Sequence, residues 1–536
     1  MAARYFIGVD VGTASARAGV FDARGAALAT ASHPITLHLS AGDRAEQSSA
    51  DIWRAVCLSV RDAVRGANID AADVAGIGFD ATCSMVVLGE GGVPLPIGHS
   101  GDAERDIIVW MDHRAIEQAD AINRTGHPVM QYVGGRISPE MQTPKLLWLS
   151  HHKPAVFANA WQFLDLPDFL TWKASGSLAR SACTVTCKWT YLAHEGRWDA
   201  SYFKAIGLGE LADEGFARIG AEIVAPGTAL GRGLTAEAAA ELGLLPGTAV
   251  AAALIDAHAG GIGTVGARGE PGSVTSRMAY VFGTSACTMA TTAEPRPVPG
   301  VWGPYFSAMV PGLWLSEGGQ SAAGAGIDHL VTLHPAAPRL AAEAEASGRS
   351  MVALLTERAI AGAIDLSSVA ERAADVHVVP EFLGNRAPHA DPGAKALIAG
   401  LGMDKAEDSL VALYVAGILG LGYGVRQIVE VSRTNGIAID TIVISGGAGK
   451  SPLVRQLLAD SIGLPVVATA SAEPVLLGSA MLGAVAAASY DDLPQAMDAM
   501  SSVEATIIPS PRHVALHARR YAAFTALQDV GRLIRS

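Results

Sequence analysis

The sequence predicts an α/β chain made of two related halves. Two observations carry this reading: a strand–turn–strand unit at the start with Gly and Thr in its turn, and a second unit of the same form about half-way along. A third is the alternation of strand-like and helix-like segments through the chain, the pattern of an α/β architecture. The first unit is Ile7-Gly8-Val9-Asp10-Val11-Gly12-Thr13, followed by Ser15, Arg17 and the apolar run Ala18-Gly19-Val20-Phe21-Asp22. Apolar segments this short, divided by Gly and Thr, read as two strands joined by a tight turn that displays Asp10 and Thr13. Glycine lets backbone N–H groups approach an anion, hydroxyls add donors, and a carboxylate suits a hydrated divalent cation. The turn therefore reads as a corner for a triphosphate and magnesium; the alternative is a plain hairpin whose Asp satisfies its own turn. The second unit, Met278 to Met289, enters Gly283-Thr284-Ser285 from one strand and leaves in another. One such unit in each half suggests a duplicated architecture.

Between the two corners, Asp51 to Val64 carries Ile52, Val56, Val60 and Val64 at helical spacing, with Asp51 as the expected N-cap. A strand follows at Gly76-Ile77-Gly78-Phe79-Asp80, then a turn with Thr82, Cys83 and Ser84, then a strand over Met85 to Leu88. Gly260, Gly261, Gly263, Gly266 and Gly269 accumulate before the second corner. They place the hinge between Ala259 and Pro271 and divide the chain into residues 1–269 and 270–536. Beyond it, the Ala- and Glu-rich stretch Pro338 to Ala363 reads as helical. Ile442-Val443-Ile444-Ser445-Gly446-Gly447-Ala448-Gly449-Lys450-Ser451 ends like a P-loop, but Ile444 stands where that motif requires Gly. The segment is read instead as a strand, a Gly-rich turn, a cap at Ser451 and a helix opening on Pro452. Gly446 and Gly447 leave room for a flat ring against the backbone, or simply join strand to helix.

At 536 residues the chain has room for roughly two to four domains. A net charge of −13 with no clustered Lys/Arg stripe argues against nucleic acid or an anionic membrane as partner. Asp10 interrupts the first apolar run, so no signal peptide is read there. Leu410 to Val425 and Pro474 to Tyr490 are short of the roughly 20 residues of a spanning helix and are expected to be buried helices. Five widely spaced cysteines suit a reducing cytoplasm. Cys183 and Cys187 lack a matching second pair at zinc spacing, and His151-His152 reads as a solvated loop.

These elements, in this order, resemble the FGGY family of carbohydrate kinases, within the actin/hexokinase/Hsp70 superfamily. The resemblance runs over nearly the whole chain. It includes Gly8 to Thr13, Val109-Trp110-Met111-Asp112-His113-Arg114, Pro144-Lys145-Leu146-Leu147-Trp148, Leu254-Ile255-Asp256-Ala257-His258-Ala259-Gly260 and Phe282-Gly283-Thr284-Ser285. It continues through Pro380-Glu381-Phe382-Leu383-Gly384-Asn385-Arg386-Ala387-Pro388, Asp391-Pro392 and Ser445-Gly446-Gly447. The resemblance implies two ribonuclease-H-like domains around a central cleft, with sugar bound mainly by the first half and Mg-ATP mainly by the second. It implies Asp256 as catalytic base, accepting the proton of the sugar hydroxyl that attacks the γ-phosphorus; capping the next helix is the alternative. Asp10 would organise Mg2+. Gly12, Thr13, Ser15 and Arg17 would line the phosphate path, Gly283, Thr284 and Ser285 would approach it from the other half, and Gly446 and Gly447 would flank the adenosine of ATP. Arg17 as a plain surface residue is the alternative for that side chain.

The resemblance also bears on the acceptor. The glycerol-phosphorylating branch carries an Arg-Glu pair where this chain has Thr82 and Cys83. The corner Gly78-Phe79-Asp80-Ala81-Thr82-Cys83-Ser84 is similar to that of pentulose kinases, with Ala81 at the sugar. Lys188, in Thr186-Cys187-Lys188-Trp189, and Glu317, in Ser316-Glu317-Gly318-Gly319, would supply a donor and an acceptor to a polyhydroxylated chain. A surface lysine and a loop carboxylate are the plain alternatives. Asp112 is a further candidate contact, unless it pairs with Arg114. With Ile137-Ser138-Pro139-Glu140-Met141, the pattern looks most like the branch acting on D-ribulose. L-ribulose, ribitol, xylulose and tetritols stay open, as does a homodimer. From other classes, a nucleotide-driven conformational switch and an inactive regulator are the rivals; the presence of Asp10 and Asp256 counts against the second.

Overall fold

The computed structural model describes residues 4–98, 101–102, 104–266 and 273–535. The first sheet grows from the opening hairpin. Strands β1 (Tyr5–Val11) and β2 (Ser15–Phe21) run antiparallel, and β3 (Ala27–Pro34) adds antiparallel to β2. Helix α1 (Ser49–Ala67) packs its apolar stripe on β2 and β3. Its cap is Ser48, whose hydroxyl accepts the Asp51 N–H at 3.3 Å. Asp51 is therefore not the N-cap: it lies in the first turn, and its Oδ2 accepts the Thr36 N–H at 2.8 Å. Strand β4 (Val74–Ala81) joins β1 in parallel. After a short helix α2 (Ala182–Trp189), β5 (Ala249–Val250) and β6 (Leu254–Ile255) pair in parallel with β4. The order is β5–β4–β1–β2–β3.

Helix α3 (Asp256–Val265) follows β6 directly. The second half then repeats the plan. Strands β7 (Arg277–Phe282) and β8 (Ala286–Thr292) form the hairpin. Strand β9 (Trp302–Phe306) pairs with β10 (Trp314–Gln320), and β10 adds antiparallel to β8. Past α4 (Gly324–Thr332) and the long α5 (Glu407–Thr434), β11 (Thr441–Ser445) joins β7 in parallel. Helix α6 (Pro452–Ile462) leads to β12 (Val466–Thr469), parallel to β11. Antiparallel hairpin, antiparallel third strand and two parallel strands on the far side recur in both sheets, so the duplication is one of topology. Both halves are ribonuclease-H-like.

The halves are locked by exchanged helices. Helix α7 (Pro474–Ala486), from the second half, lies against β1 and β4 of the first sheet, while α3 lies against β7 of the second. The two helices cross at glycines. A Cβ on Gly478 would stand 2.0 Å from the Ala259 carbonyl oxygen, and one on Gly263 would stand 2.0 Å from that of Pro474. Gly260, Gly261 and Gly263 are thus buried helical residues and no hinge loop; the sequence reading took close packing for flexibility. The proposed division at 269/270 falls outside the described residues.

Pro452 opens α6 with Ser451 as cap, and the strand over Met85–Leu88 is present. The stretch from Pro338 to Ala363, read as helical, holds two helices, Ala337–Ala346 and Met351–Ile360. His151 and His152 end the helix Gln142–His152 instead of forming a loop, and both are exposed. Among the described residues α5 alone is long and apolar enough to cross a membrane, and 78% of its apolar window is buried in the protein.

Candidate active site

Three strands of the first sheet deliver carboxylates to one edge. Asp10 near the end of β1 stands in register with Asp80 on β4, and β6, paired to Asp80 and Ala81, runs straight into Asp256. Asp10 is nearly buried and Asp80 wholly so. Arg17, the cross-strand partner of Asp10, donates to Asp10 Oδ2 from Nε at 3.0 Å and from Nη2 at 2.6 Å. Its Nη1 donates to Glu473 Oε2 at 2.8 Å, just ahead of α7. Arg17 is therefore engaged by two carboxylates and ties the halves together.

Asp80 Oδ2 accepts the Ser479 hydroxyl of α7 at 2.5 Å. Burial, and then the nearby charges of Asp10 and Asp256, push the Asp80 carboxyl well above the usual range. Its Oδ1 has no donor among the described residues. An undonated hard oxygen beside Asp10 suits Mg2+, which is commonly held by one or two carboxylates together with substrate phosphates. No group of three or more His, Cys, Asp or Glu forms a metal cluster among the described residues, Cys183 and Cys187 included. Asp256 is raised to about 6, by burial first and by Asp10 second. Its Oδ1 accepts the Ala257 N–H at 2.7 Å, at the N-terminus of α3, where the helix dipole favours an anion.

The two Gly-Thr turns close alike. The Gly12 N–H meets the Ser15 carbonyl at 3.0 Å, and the Gly283 N–H meets that of Ser285 at 2.9 Å. The Thr13 hydroxyl accepts the Trp110 indole N–H at 3.0 Å, while its carbonyl accepts the Gln47 amide at 2.9 Å. The Thr284 carbonyl receives the N–H groups of Ala323 and Ala325 at the start of α4, at 3.0 and 3.2 Å. Gly283 and Thr284 are exposed and Ser285 is half-buried. Because β7 and β11 pair as far as Val281 and Ser445, the turn at Gly446 lies beside the one at Gly283. Gly446 has φ +92°, and a Cβ there would stand 2.3 Å from the Phe282 carbonyl oxygen. A Cβ on Gly447 would meet nothing within 4 Å, which leaves a cradle open to a flat ring.

At the other end of the carboxylate edge, Lys188 on α2 places its Nζ 5.7 Å from the ring centre of Trp302, the strand partner of Glu317. The two candidate sugar contacts, from different halves, thus come together. Burial works against the Lys188 charge, but Cys83, Glu317, Tyr305 and Cys187 outweigh it and raise its pKa. Glu317 is held down to about 2: burial opposes its charge, but a hydrogen bond from His258 and the charges of His258, Lys188 and Arg386 prevail. Ala81 is buried where β4 meets β6. Asp112 is fully buried, with Oδ1 taken by Arg114 Nε at 2.8 Å and Oδ2 by Arg114 Nη2 at 2.7 Å and the Ala45 N–H at 2.7 Å. Pairing with Arg114, the alternative kept open above, is what its geometry displays.

Asp80, Ser479 and His258 were not singled out from the sequence. For Asp80 a signal existed: Ile7-Gly8-Val9-Asp10 and Ile77-Gly78-Phe79-Asp80 share one pattern, as neighbouring strands delivering Asp to one edge would. For Ser479 none did, since its partner lies 399 residues away.

The FGGY family of carbohydrate kinases matches this chain twice, its N-terminal domain over residues 5–263 and its C-terminal domain over residues 278–487. This chain belongs to that family. It is 46% identical over 540 residues to the human FGGY carbohydrate kinase domain-containing protein, covering 98% of this chain and 96% of the relative. It is 37% identical to a D-ribulokinase of Saccharomyces cerevisiae, over 91% of this chain and 73% of that protein. A ribulokinase of Shouchella clausii is 32% identical over 98% of this chain and 95% of its own. Among solved structures, the xylulose kinase of Rhodospirillum rubrum superposes with a TM-score of 0.79 at 23% identity, covering 98% of this chain and 99% of that one. That likeness shows the fold. The chain is a carbohydrate kinase, a phosphotransferase with an alcohol group as acceptor.

Proposed function

We propose that this FGGY kinase phosphorylates a pentulose, D-ribulose before others, converting ATP and D-ribulose to ADP and D-ribulose 5-phosphate. The observation that carries the reading is the pairing of Asp256 with the Lys188–Glu317 cluster. A carboxylate tuned to about 6 stands at the mouth of the first sheet, with a half-buried cation and a half-buried anion near it. Identity to proteins named D-ribulokinase and ribulokinase supports the pentulose. In this reading Glu317 accepts from sugar hydroxyls and Lys188 donates to a sugar oxygen, which orients the terminal hydroxyl toward Asp256. Asp256 takes that proton as the oxygen attacks the γ-phosphorus in line. Asp10 and Asp80 are the residues to hold Mg2+, which neutralises charge on the phosphates when bound. The turns at Gly12–Thr13 and Gly283–Ser285 receive the phosphates, and Gly446 and Gly447 the adenosine. Closure of the halves excludes water, the competing acceptor.

The test is ADP release from Mg-ATP over D-ribulose, L-ribulose, D- and L-xylulose, ribitol, erythritol and glycerol, run beside Asp256→Asn. One dominant pentulose and a silent variant are expected. No sugar-dependent release, or full activity in Asp256→Asn, refutes the reading. Turnover without sugar that a protein stimulates would point to a conformational switch.

A further inference from the structure

The sugar end of the cleft holds three linked groups, Cys183, His258 and Glu317, of which phosphoryl transfer, as set out above, uses only Glu317. Cys183 on α2 is fully buried, with Sγ 3.1 Å from His258 Nδ1. His258, also buried, turns its Nε2 to Glu317 Oε2 at 3.3 Å. The Ile255 N–H points at the same sulfur from 3.4 Å, and Cys187 lies one helical turn along α2. The sulfur thus faces a backbone donor and an imidazole, a set that favours a thiolate. The imidazole lies between sulfur and carboxylate, and only its doubly protonated form donates to both.

We propose that Cys183 is a thiolate paired with an imidazolium at His258, and that the pair is a positioning device for Glu317, fixing and keeping ionised the carboxylate that receives the sugar hydroxyls. The inference rests on the reading of Glu317 as a sugar contact. The three groups come from α2, α3 and β10, so the pair also carries orientation across the boundary between the halves. The charged and titratable neighbours are consistent with it. His258 and the Cys187 thiol lower the Cys183 thiol against the cost of burial, while Cys183 and Glu317 raise the His258 imidazole. Lys188 on α2 and Arg386 support the anion at Glu317. Asp168 opposes the thiolate, but its own carboxylate is occupied by the Thr184 hydroxyl at 2.6 Å and the Ser181 N–H at 2.9 Å. Asp256, the proposed base, sits two residues from His258 and is favoured in its charged form by it.

The signature is spectroscopic. Burial pushes Cys57, Cys83 and Cys287 up to about 12, and Cys187 is raised as well, so Cys183 is the cysteine that would ionise at neutral pH. A pH titration of thiolate ultraviolet absorbance on the whole chain should show one thiolate at neutral pH, absent from Cys183→Ser and lost or shifted upward in His258→Asn. In sugar kinetics, Cys183→Ser should raise the sugar KM by about tenfold or more, the weight of one charge-assisted hydrogen bond. The ATP KM should stay within about twofold, because the pair touches no phosphate turn, and Cys183→Asp, which restores an anion, should recover part of the sugar KM. A kinase active on a pentulose that shows no neutral-pH thiolate, or whose Cys183→Ser variant keeps the wild-type sugar KM, overturns this proposal alone. An absence of sugar-dependent turnover overturns the reading of Glu317, and the positioning role with it, whatever the absorbance shows.

Discussion

Replacing Gly478 by Ala tests whether the crossing of α3 and α7 sets the geometry of the catalytic edge. The added Cβ would stand 2.0 Å from the Ala259 carbonyl oxygen, where real contacts of this kind stay beyond 3.0 Å. The obstacle is backbone within a helix, so the helices must part by about 1 Å or bend. Overpacking of this kind costs about 1–3 kcal/mol. The change reaches the chemistry because α3 begins at Asp256, and α7 carries Ser479 and follows Glu473, the partners of Asp80 and Arg17. A misplacement of about 1 Å can cost about 100-fold in rate. Thermal unfolding and steady-state kinetics should therefore show a Tm lowered by several degrees and a kcat lowered by about two orders of magnitude. Gly402→Ala, where a Cβ meets nothing within 4 Å, is the control and should change neither. Gly263→Ala presses on the same crossing from the other helix, so the double variant should lose less than the two single losses combined. Wild-type kcat and Tm in Gly478→Ala would refute the reasoning.

Two further outcomes follow from the carboxylates. Asp256 must be ionised to accept a proton and is raised to about 6 by burial and by Asp10, so kcat/KM should be flat above about pH 6.5 and fall about tenfold per pH unit below about 6. A profile flat to about pH 4, the ordinary aspartate range, would remove Asp256 from the role of base. Ser479→Ala withdraws the hydroxyl donor of the buried Asp80 and should destabilise the chain by about 1–3 kcal/mol in thermal unfolding. The same change in an Asp80→Ala background should cost much less, and an equal loss in both would show that the hydrogen bond is not the cause.

What could be read from the sequence was local. The Gly-Thr turns at Gly12 and Gly283 and the capped start of α6 depend on residues within a few positions, and both are where the pattern put them. The misreadings came where distant chain decides the outcome. Glycine ordinarily weakens a helix, so Gly260, Gly261 and Gly263 read as a hinge until the space their missing side chains leave is seen to be taken, by the backbone of α7 at Gly263 and by the side chains of Met309 and Met289 at Gly261. Asp112 stayed open between a sugar contact and a pair with Arg114, because its further partner, the Ala45 N–H, lies 67 positions away. For Arg17, expected on the phosphate path or at the surface, nothing near it announces Glu473, 456 positions on. Asp80 escaped notice because parallel pairing of β1 with β4 fixes a register that no adjacent turn declares.

The exchange of α3 and α7 between the halves also governs how the molecule comes into being. The strands of the first sheet are complete once Ile255 has been made, yet β1 and β4 keep one face uncovered until residues 474–486 arrive. At about 5–20 residues per second, synthesis leaves that apolar face open for on the order of 10 to 45 s. Neither half is therefore a self-sufficient folding unit. A fragment ending before α7 would carry a sticky sheet and need a chaperone, whereas two fragments expressed together could reconstitute each other by trading these helices.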